Sequence, residues 1–271
     1  MKKNLIGIVQ GRLSIAPKKS LQYFPKKYEK EFLIAKKIKC DYIELFSERQ
    51  INENNPIWSN EGIEKYISLS KKNSVKLINF CDDHSISKNI NSMSYNFYFK
   101  KLIANIKKLK IKNFILPLYG KSMMTDNNFQ KFNTKIYKLT NFARREKINI
   151  FIEANISPET FFKLKAFNEK NFFFLFDTGN RINLKSNMSQ DILKFGNKIG
   201  LVHLKDKNSI NKNVKIGTGN VNFQEVFNNL KNIKYKNNFT LESIRGKNPI
   251  ITAKKNIIFF NKLINIKLTK V

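Results

Sequence analysis

Apolar residues are laid out along this chain in two alternating rhythms. Short unbroken runs of Ile, Val, Leu and Phe are separated by longer stretches in which apolar side chains recur every three or four positions. An unbroken run has no solvent face, so it reads as a strand buried on both sides, the habit of parallel sheet. The runs predict strands over residues 5–10, 42–46, 75–80, 114–118, 149–153, 172–177, 199–203 and 239–242. The longer periodicity predicts amphipathic helices over 27–37, 63–73, 95–109, 128–146, 158–167, 189–195, 223–230 and 250–264. Two helices carry start signals: Ser157 ahead of Pro158, and Asn222 three residues ahead of Glu225.

Eight strands alternating with eight helices, with no linker between them, predict an α/β protein built as a single closed (β/α)8 TIM barrel, one domain over residues 1–271. The rival is a doubly wound open sheet, which announces itself with a glycine-rich turn after its first strand. Here the first strand runs into Gln10-Gly11-Arg12-Leu13 instead. In a barrel, residues at the C-terminal strand ends face the active site. The last four predicted strands end in Glu153, Asp177, His203 and Glu242. A lone acid there is ordinarily a solvated loop residue. Four donors at one register, including one of only two histidines in the chain, argue for a shared divalent cation. Oxygen-rich ligation with one imidazole suits Mn²⁺, Mg²⁺ or Co²⁺, with Zn²⁺ as a further option.

Charge complicates the picture. Lys and Arg number 51 against 20 Asp and Glu, a net +31, which invites a polyanion partner. However, Lys, Asn, Ile and Phe are abundant together, as AT-rich codons would make them. The lysines are also dispersed: Lys100, Lys101, Lys107 and Lys108 line the polar face of one predicted helix. The reading is compositional drift, with no specific nucleic-acid partner. Two cysteines, Cys40 and Cys81, with no CxxC spacing suit neither a disulfide framework nor a zinc knuckle, and fit a cytoplasmic location. The apolar stretch after Met1-Lys2-Lys3-Asn4 is too short for a signal peptide, and no run approaches a membrane span.

The segments around the four strand ends resemble the xylose isomerase-like TIM barrels, the sugar phosphate isomerase/epimerase family. The likeness starts at Gly7-Ile8-Val9-Gln10-Gly11-Arg12-Leu13-Ser14 and continues through Tyr42-Ile43-Glu44-Leu45-Phe46. It strengthens at Phe176-Asp177-Thr178-Gly179-Asn180, Val202-His203-Leu204-Lys205-Asp206 and Ile216-Gly217-Thr218-Gly219-Asn220-Val221-Asn222-Phe223, and closes with Leu241-Glu242-Ser243-Ile244-Arg245. The resemblance implies one divalent ion, Mn²⁺ first, held by Glu153, Asp177, His203 and Glu242. It also implies that Glu153 and Glu242 move protons. The expected reaction is isomerisation or epimerisation of a small sugar, sugar phosphate or keto acid. In it, the cation stabilises an enediolate while one glutamate takes a proton from carbon and the other returns one. The resemblance also makes Asn180 a substrate-binding candidate; it departs from several epimerases and from the endonuclease IV branch, which carry a histidine near that position, whereas other sugar-phosphate branches have Asn there. Related barrels often form homo-oligomers, but no stripe in this chain stands apart from core patterning.

Around this centre, Lys205 and Asp206 either contact substrate or form a solvated ion pair, with Asp206 alternatively orienting the imidazole. Arg245 is a candidate for a phosphate or carboxylate, and Gln10 and Arg12 for substrate contact at the exit of the first strand. Glu44 either faces the pocket or makes a buried structural hydrogen bond. Asp83 follows the third strand as a substrate-binding candidate, and its neighbour His84 reads mainly as a surface histidine. Gly217-Thr218-Gly219 reads as a turn. Three rival functions remain. A dehydratase would use the same enediolate to expel a β-hydroxyl. An endonuclease IV-like repair enzyme needs more histidines than the two present. A non-catalytic nucleic-acid binder would hold no metal and bind DNA in a salt-sensitive way.

Overall fold

A computed structural model of the chain describes residues 4–17, 21–182, 184 and 187–265. The strands are β1 (Ile6–Val9), β2 (Tyr42–Ser47), β3 (Lys76–Asp82), β4 (Asn113–Pro117), β5 (Asn149–Glu153), β6 (Phe172–Asp177), β7 (Ile199–Leu204) and β8 (Asn238–Leu241). They follow one another in this order in a closed barrel, and the printed pairings are parallel. Between them lie α1 (Glu29–Lys37), α2 (Asn60–Asn73), α3 (His84–Ser87), α4 (Met93–Lys108), α5 (Phe129–Arg145), α6 (Pro158–Phe162), α7 (Thr178–Arg181), α8 (Met188–Phe195), α9 (Phe223–Asn232) and α10 (Pro249–Asn265). Each predicted strand forms within two residues of its expected ends. Chain contacts gather into two units, Tyr42–Leu175 on the one hand and Met1–Asp41 with Phe176–Val271 on the other.

In the first unit, β2 is buried along its whole length, as its unbroken apolar run requires. The β2–β3 register shifts between Ile43 and Leu45, so that Glu44 faces two residues of β3 rather than one. That bulge brings Asn79 to Glu44, whose Oε2 accepts its side-chain amide at 3.0 Å. Asn113 then donates to Asn79 at 2.9 Å, and Asn149 to Asn113 at 3.0 Å. Glu44 thus begins an amide ladder from β2 to β5, which favours the structural side of its expected role. Helix α4 buries Tyr95, Phe99, Leu102, Ile103 and Ile106 while Lys100, Lys101, Lys107 and Lys108 stay exposed, as the pattern demands. At the end of β3, Asp82 is fully buried and accepts hydrogen bonds from Ser47, Tyr95 and Tyr98.

The expected helix over 158–167 divides instead into α6, capped by Ser157, and a 3-10 turn over Lys165–Asn168. The break has a local cause. Lys165 gives its backbone N–H to the side chain of Asn133 on α5 at 2.7 Å, and Leu164 is extended. Phe161 anchors this region, stacked 5.4 Å from Phe172 and edge-on to Phe174 and Phe167.

In the second unit, β8 lies between β7 and β1. Helix α9 is capped by Asn222, which accepts from the Glu225 N–H. It packs Phe227 on Phe239 of β8 and on Phe260 of α10, at 5.1 and 5.8 Å. Helix α10 buries Ala253, Asn256, Ile257, Phe260 and Leu263, the three-to-four spacing of an amphipathic helix. Cys40 and Cys81 are buried thiols. Among the described residues, no helix is long and apolar enough to cross a membrane.

Candidate metal centre

Asp177 ends β6 and also starts α7. Its Oδ1 accepts the Asn180 backbone N–H at 2.7 Å, the bond of an N-cap. That bond orients the carboxylate and leaves Oδ2 for the site. His203 lies one residue before the end of β7, and Glu242 directly follows β8. The three side chains are buried, and each offers a ligand atom within 4.8 Å of the other two. His203 Nδ1 lies 3.3 Å from Glu242 Oε2. With Nδ1 as the donor, Nε2 carries the imidazole lone pair. Two carboxylates and one imidazole at this spacing form a donor set that fits a divalent cation of the Mn²⁺, Mg²⁺ or Zn²⁺ type.

Lys205 is the unexpected member of this cluster. Its buried Nζ lies 2.8 Å from Asp177 Oδ2 and 2.6 Å from Glu242 Oε2. Glu242 Oε1 accepts longer contacts from Arg12 Nη2 at 3.4 Å and Gln22 Nε2 at 3.3 Å. Burial raises the Asp177 carboxyl above its ordinary value, and the Glu242 anion pushes it the same way, against Lys205 and His203. Burial also acts on Glu242, but Lys205, the His203 hydrogen bond and Arg12 outweigh it and hold that carboxyl well below its usual range.

The backbone beneath this cluster is clasped by Thr178. Its Oγ1 accepts from the Lys205 N–H at 3.0 Å and donates to the Lys205 carbonyl at 2.6 Å. Gly179 leaves room for the lysine stem, since a Cβ there would lie 2.7 Å from Lys205 Cγ. Asp206 accepts from the Gly217, Gly219 and Val221 N–H groups. It therefore organises the Gly217-Thr218-Gly219 turn. Arg245 donates Nε–H to the Gly11 carbonyl at 2.8 Å, and burial with Arg12 nearby lowers its guanidinium to about 10. Glu31 of α1 supports the same turn, accepting from Gly11 N, Leu13 N and Ser14 Oγ.

The remaining expected residues have local partners. Gln10 is buried after β1. Asn180 Oδ1 accepts from Lys207 Nζ at 2.9 Å. In the Tyr42–Leu175 unit, Glu153 ends β5 as expected, is buried, and accepts the Tyr119 hydroxyl at 3.2 Å. Asp83 is buried, with the Cys81 thiol 3.6 Å away. His84 places Nδ1 2.9 Å from the Arg49 carbonyl and its ring 4.4 Å from Tyr98. Gln22, Tyr119, Thr178 and Glu31 were not anticipated. Position was the available signal for Gln22, Tyr119 and Thr178, which lie in the segments following β1, β4 and β6, the segments that build a barrel's active face.

No curated protein matches the chain. Solved structures match it along almost its full length at low identity. D-psicose 3-epimerase from Clostridium cellulolyticum H10, with D-tagatose, superposes with a TM-score of 0.77 at 13% identity, covering 97% of this chain and 100% of that one. D-allulose 3-epimerase from Methylomonas sp. gives 0.73 at 18% identity, covering 97% and 99%. The 3-keto-D-glucoside 4-epimerase YcjR from E. coli gives 0.72 at 15% identity, covering 96% and 100%. The sequence pattern of the xylose isomerase-like TIM barrel matches residues 32–263, and the chain belongs to that family.

Proposed function

We propose that this chain is a divalent-metal-dependent isomerase or epimerase of a small sugar, sugar phosphate or keto acid, working in the cytoplasm. The observation that carries the proposal is the buried group Asp177, His203 and Glu242, gathered at the C-terminal ends of three strands. Likeness to sugar epimerases over nearly the whole chain supports it. Asp177, His203 and Glu242 would hold the ion, Mn²⁺ first, and Glu153 is proposed as a fourth ligand from the sequence pattern alone. A bound divalent cation would polarise a substrate carbonyl and share the charge of the enediolate.

The chain's own groups do the rest. Glu153 and Glu242 are the proton-transferring pair, one taking the proton from carbon and the other returning one. The Tyr119 hydroxyl orients Glu153 through its hydrogen bond. Arg12 and Gln22 steady Glu242 from its other oxygen. Gln10, Arg12, Asp83, Asn180, Lys205 and Arg245 are carried forward as substrate contacts. Glu44 and Asp206 stay among the proposed substrate contacts, held in place by the amide ladder and the glycine turn respectively.

The test has two stages. Purified chain is expected to contain about one divalent ion, lost in His203→Ala with the far-ultraviolet circular dichroism unchanged. Ketoses and ketose phosphates are then incubated in deuterium oxide. Deuterium entering the carbon beside the carbonyl supports the proposal, and its absence across the panel from metal-loaded protein refutes it.

A further inference from the structure

We infer that Lys205 is an internal countercation that sets the affinity of the Asp177–His203–Glu242 centre for its divalent ion. Its ammonium holds the two carboxylates until the ion displaces it. This rests on the metal-dependent reading above and goes beyond it.

Three observations carry the inference. First, the ammonium sits on the same acids an ion would use, 2.8 Å from Asp177 Oδ2 and 2.6 Å from Glu242 Oε2. Second, the lysine is built into place. Thr178 Oγ1 pins both its N–H and its carbonyl, and the stem runs over Gly179, where any larger residue would meet Cγ at 2.7 Å and Cδ at 2.9 Å. An exposed lysine keeps its rotamer freedom, whereas this one is buried and directed. Third, the acids need a cation. Asp177 and Glu242 are both buried, and two anions this close repel strongly in a site shielded from water.

A divalent ion on those oxygens would meet the ammonium as a like charge at contact distance, so the two cations exclude each other there. The lysine thus keeps the acids gathered before the ion arrives, and it lowers the net affinity of the centre by competing for them. Removing the ammonium has opposite effects on the two states. The ion-free chain loses a stabilising partner, and the ion-binding chain loses a competitor.

The experiment is calorimetric titration of chelator-stripped full-length protein with Mn²⁺, with melting temperature read on the same samples. Lys205→Met is expected to bind Mn²⁺ roughly tenfold or more tightly than the native chain, the scale of losing a like charge at a shielded site. Its ion-free form melts lower, and its rise on adding Mn²⁺ is larger. Lys205→Arg keeps the charge and is expected to restore weak binding, which a purely structural lysine would not predict. Lys205→Gln carries the same measurement if the methionine variant does not fold. Affinity in the neutral variants equal to or below that of the native chain overturns the inference and leaves the metal-dependent function standing. Failure of the native chain and all variants to take up Mn²⁺ sinks that function and this inference together.

Discussion

The turn that presents Asp177 is braced by a buried ion pair, and its strength is open to measurement. Arg181 closes α7 and bonds Asp191 of α8 through Nε at 3.0 Å and through Nη2. Side-chain exposure is 2% for the arginine and 5% for the aspartate, so neither charge has water to fall back on. The guanidinium also lies against two rings, 5.5 Å from Phe176 and 5.3 Å from Phe195. Arg181→Met keeps the stem but strands the Asp191 carboxylate, at a cost of about 3–5 kcal/mol for breaking a buried pair. With a urea slope of about 3 kcal/mol/M, the midpoint falls by roughly 1–1.7 M. Replacing both charges, Arg181→Met with Asp191→Leu, removes the stranded anion, so the double variant recovers most of that loss. Urea unfolding followed by circular dichroism on the native chain, both single variants and the double variant completes the cycle. Additive losses, or a single-variant cost below about 1 kcal/mol, would show that the pair does not brace this turn.

Thr178→Val keeps the volume but leaves the Lys205 N–H and carbonyl without the hydroxyl that serves both. The expected cost is about 1–3 kcal/mol, with tighter Mn²⁺ binding in the same titration because the competing ammonium is less firmly held, and an unchanged affinity would dismiss the clasp. Phe161→Ala removes a fully buried ring from the Phe172–Phe174–Phe167 cluster and should cost about 3–5 kcal/mol by urea unfolding; a loss near zero would mean the cluster repacks freely. Burial raises the Asp82 carboxyl, so the folded chain keeps that proton to higher pH than the unfolded chain does. Its contribution to stability is full below the unfolded value and declines as pH rises through the raised folded one. The stability gap between the native chain and Asp82→Asn should therefore narrow with rising pH in urea titrations, and a widening gap contradicts this assignment.

The strands and most helices were legible because burial on two faces and burial on one face leave different periodicities. Runs such as Phe172–Asp177 admit no other reading once their flanks are polar. Three of the four expected ion ligands form one cluster because strand ends in a barrel share a face. One-turn elements such as α3 and α7 were not legible, since four residues are too few to show a period. The role of Asp206 was also hidden, because its three backbone donors come from residues eleven to fifteen positions onward. Lys205 shows the same limit. Its place after His203 was visible, but its direction toward two acids on other strands depends on Thr178 and Gly179.

The chain of side-chain amides from Glu44 through Asn79 and Asn113 to Asn149 works as a ruler laid across four strands. Asn113 and Asn149 are the first residues of β4 and β5, so the ruler ends on the side opposite the C-terminal strand ends. A slip of one position along any of these strands would turn an amide to the wrong side and break the next link. The alignment of these strands is therefore decided away from the loops at their C-terminal ends. Those loops are free to lengthen, shorten or change chemistry without disturbing the alignment.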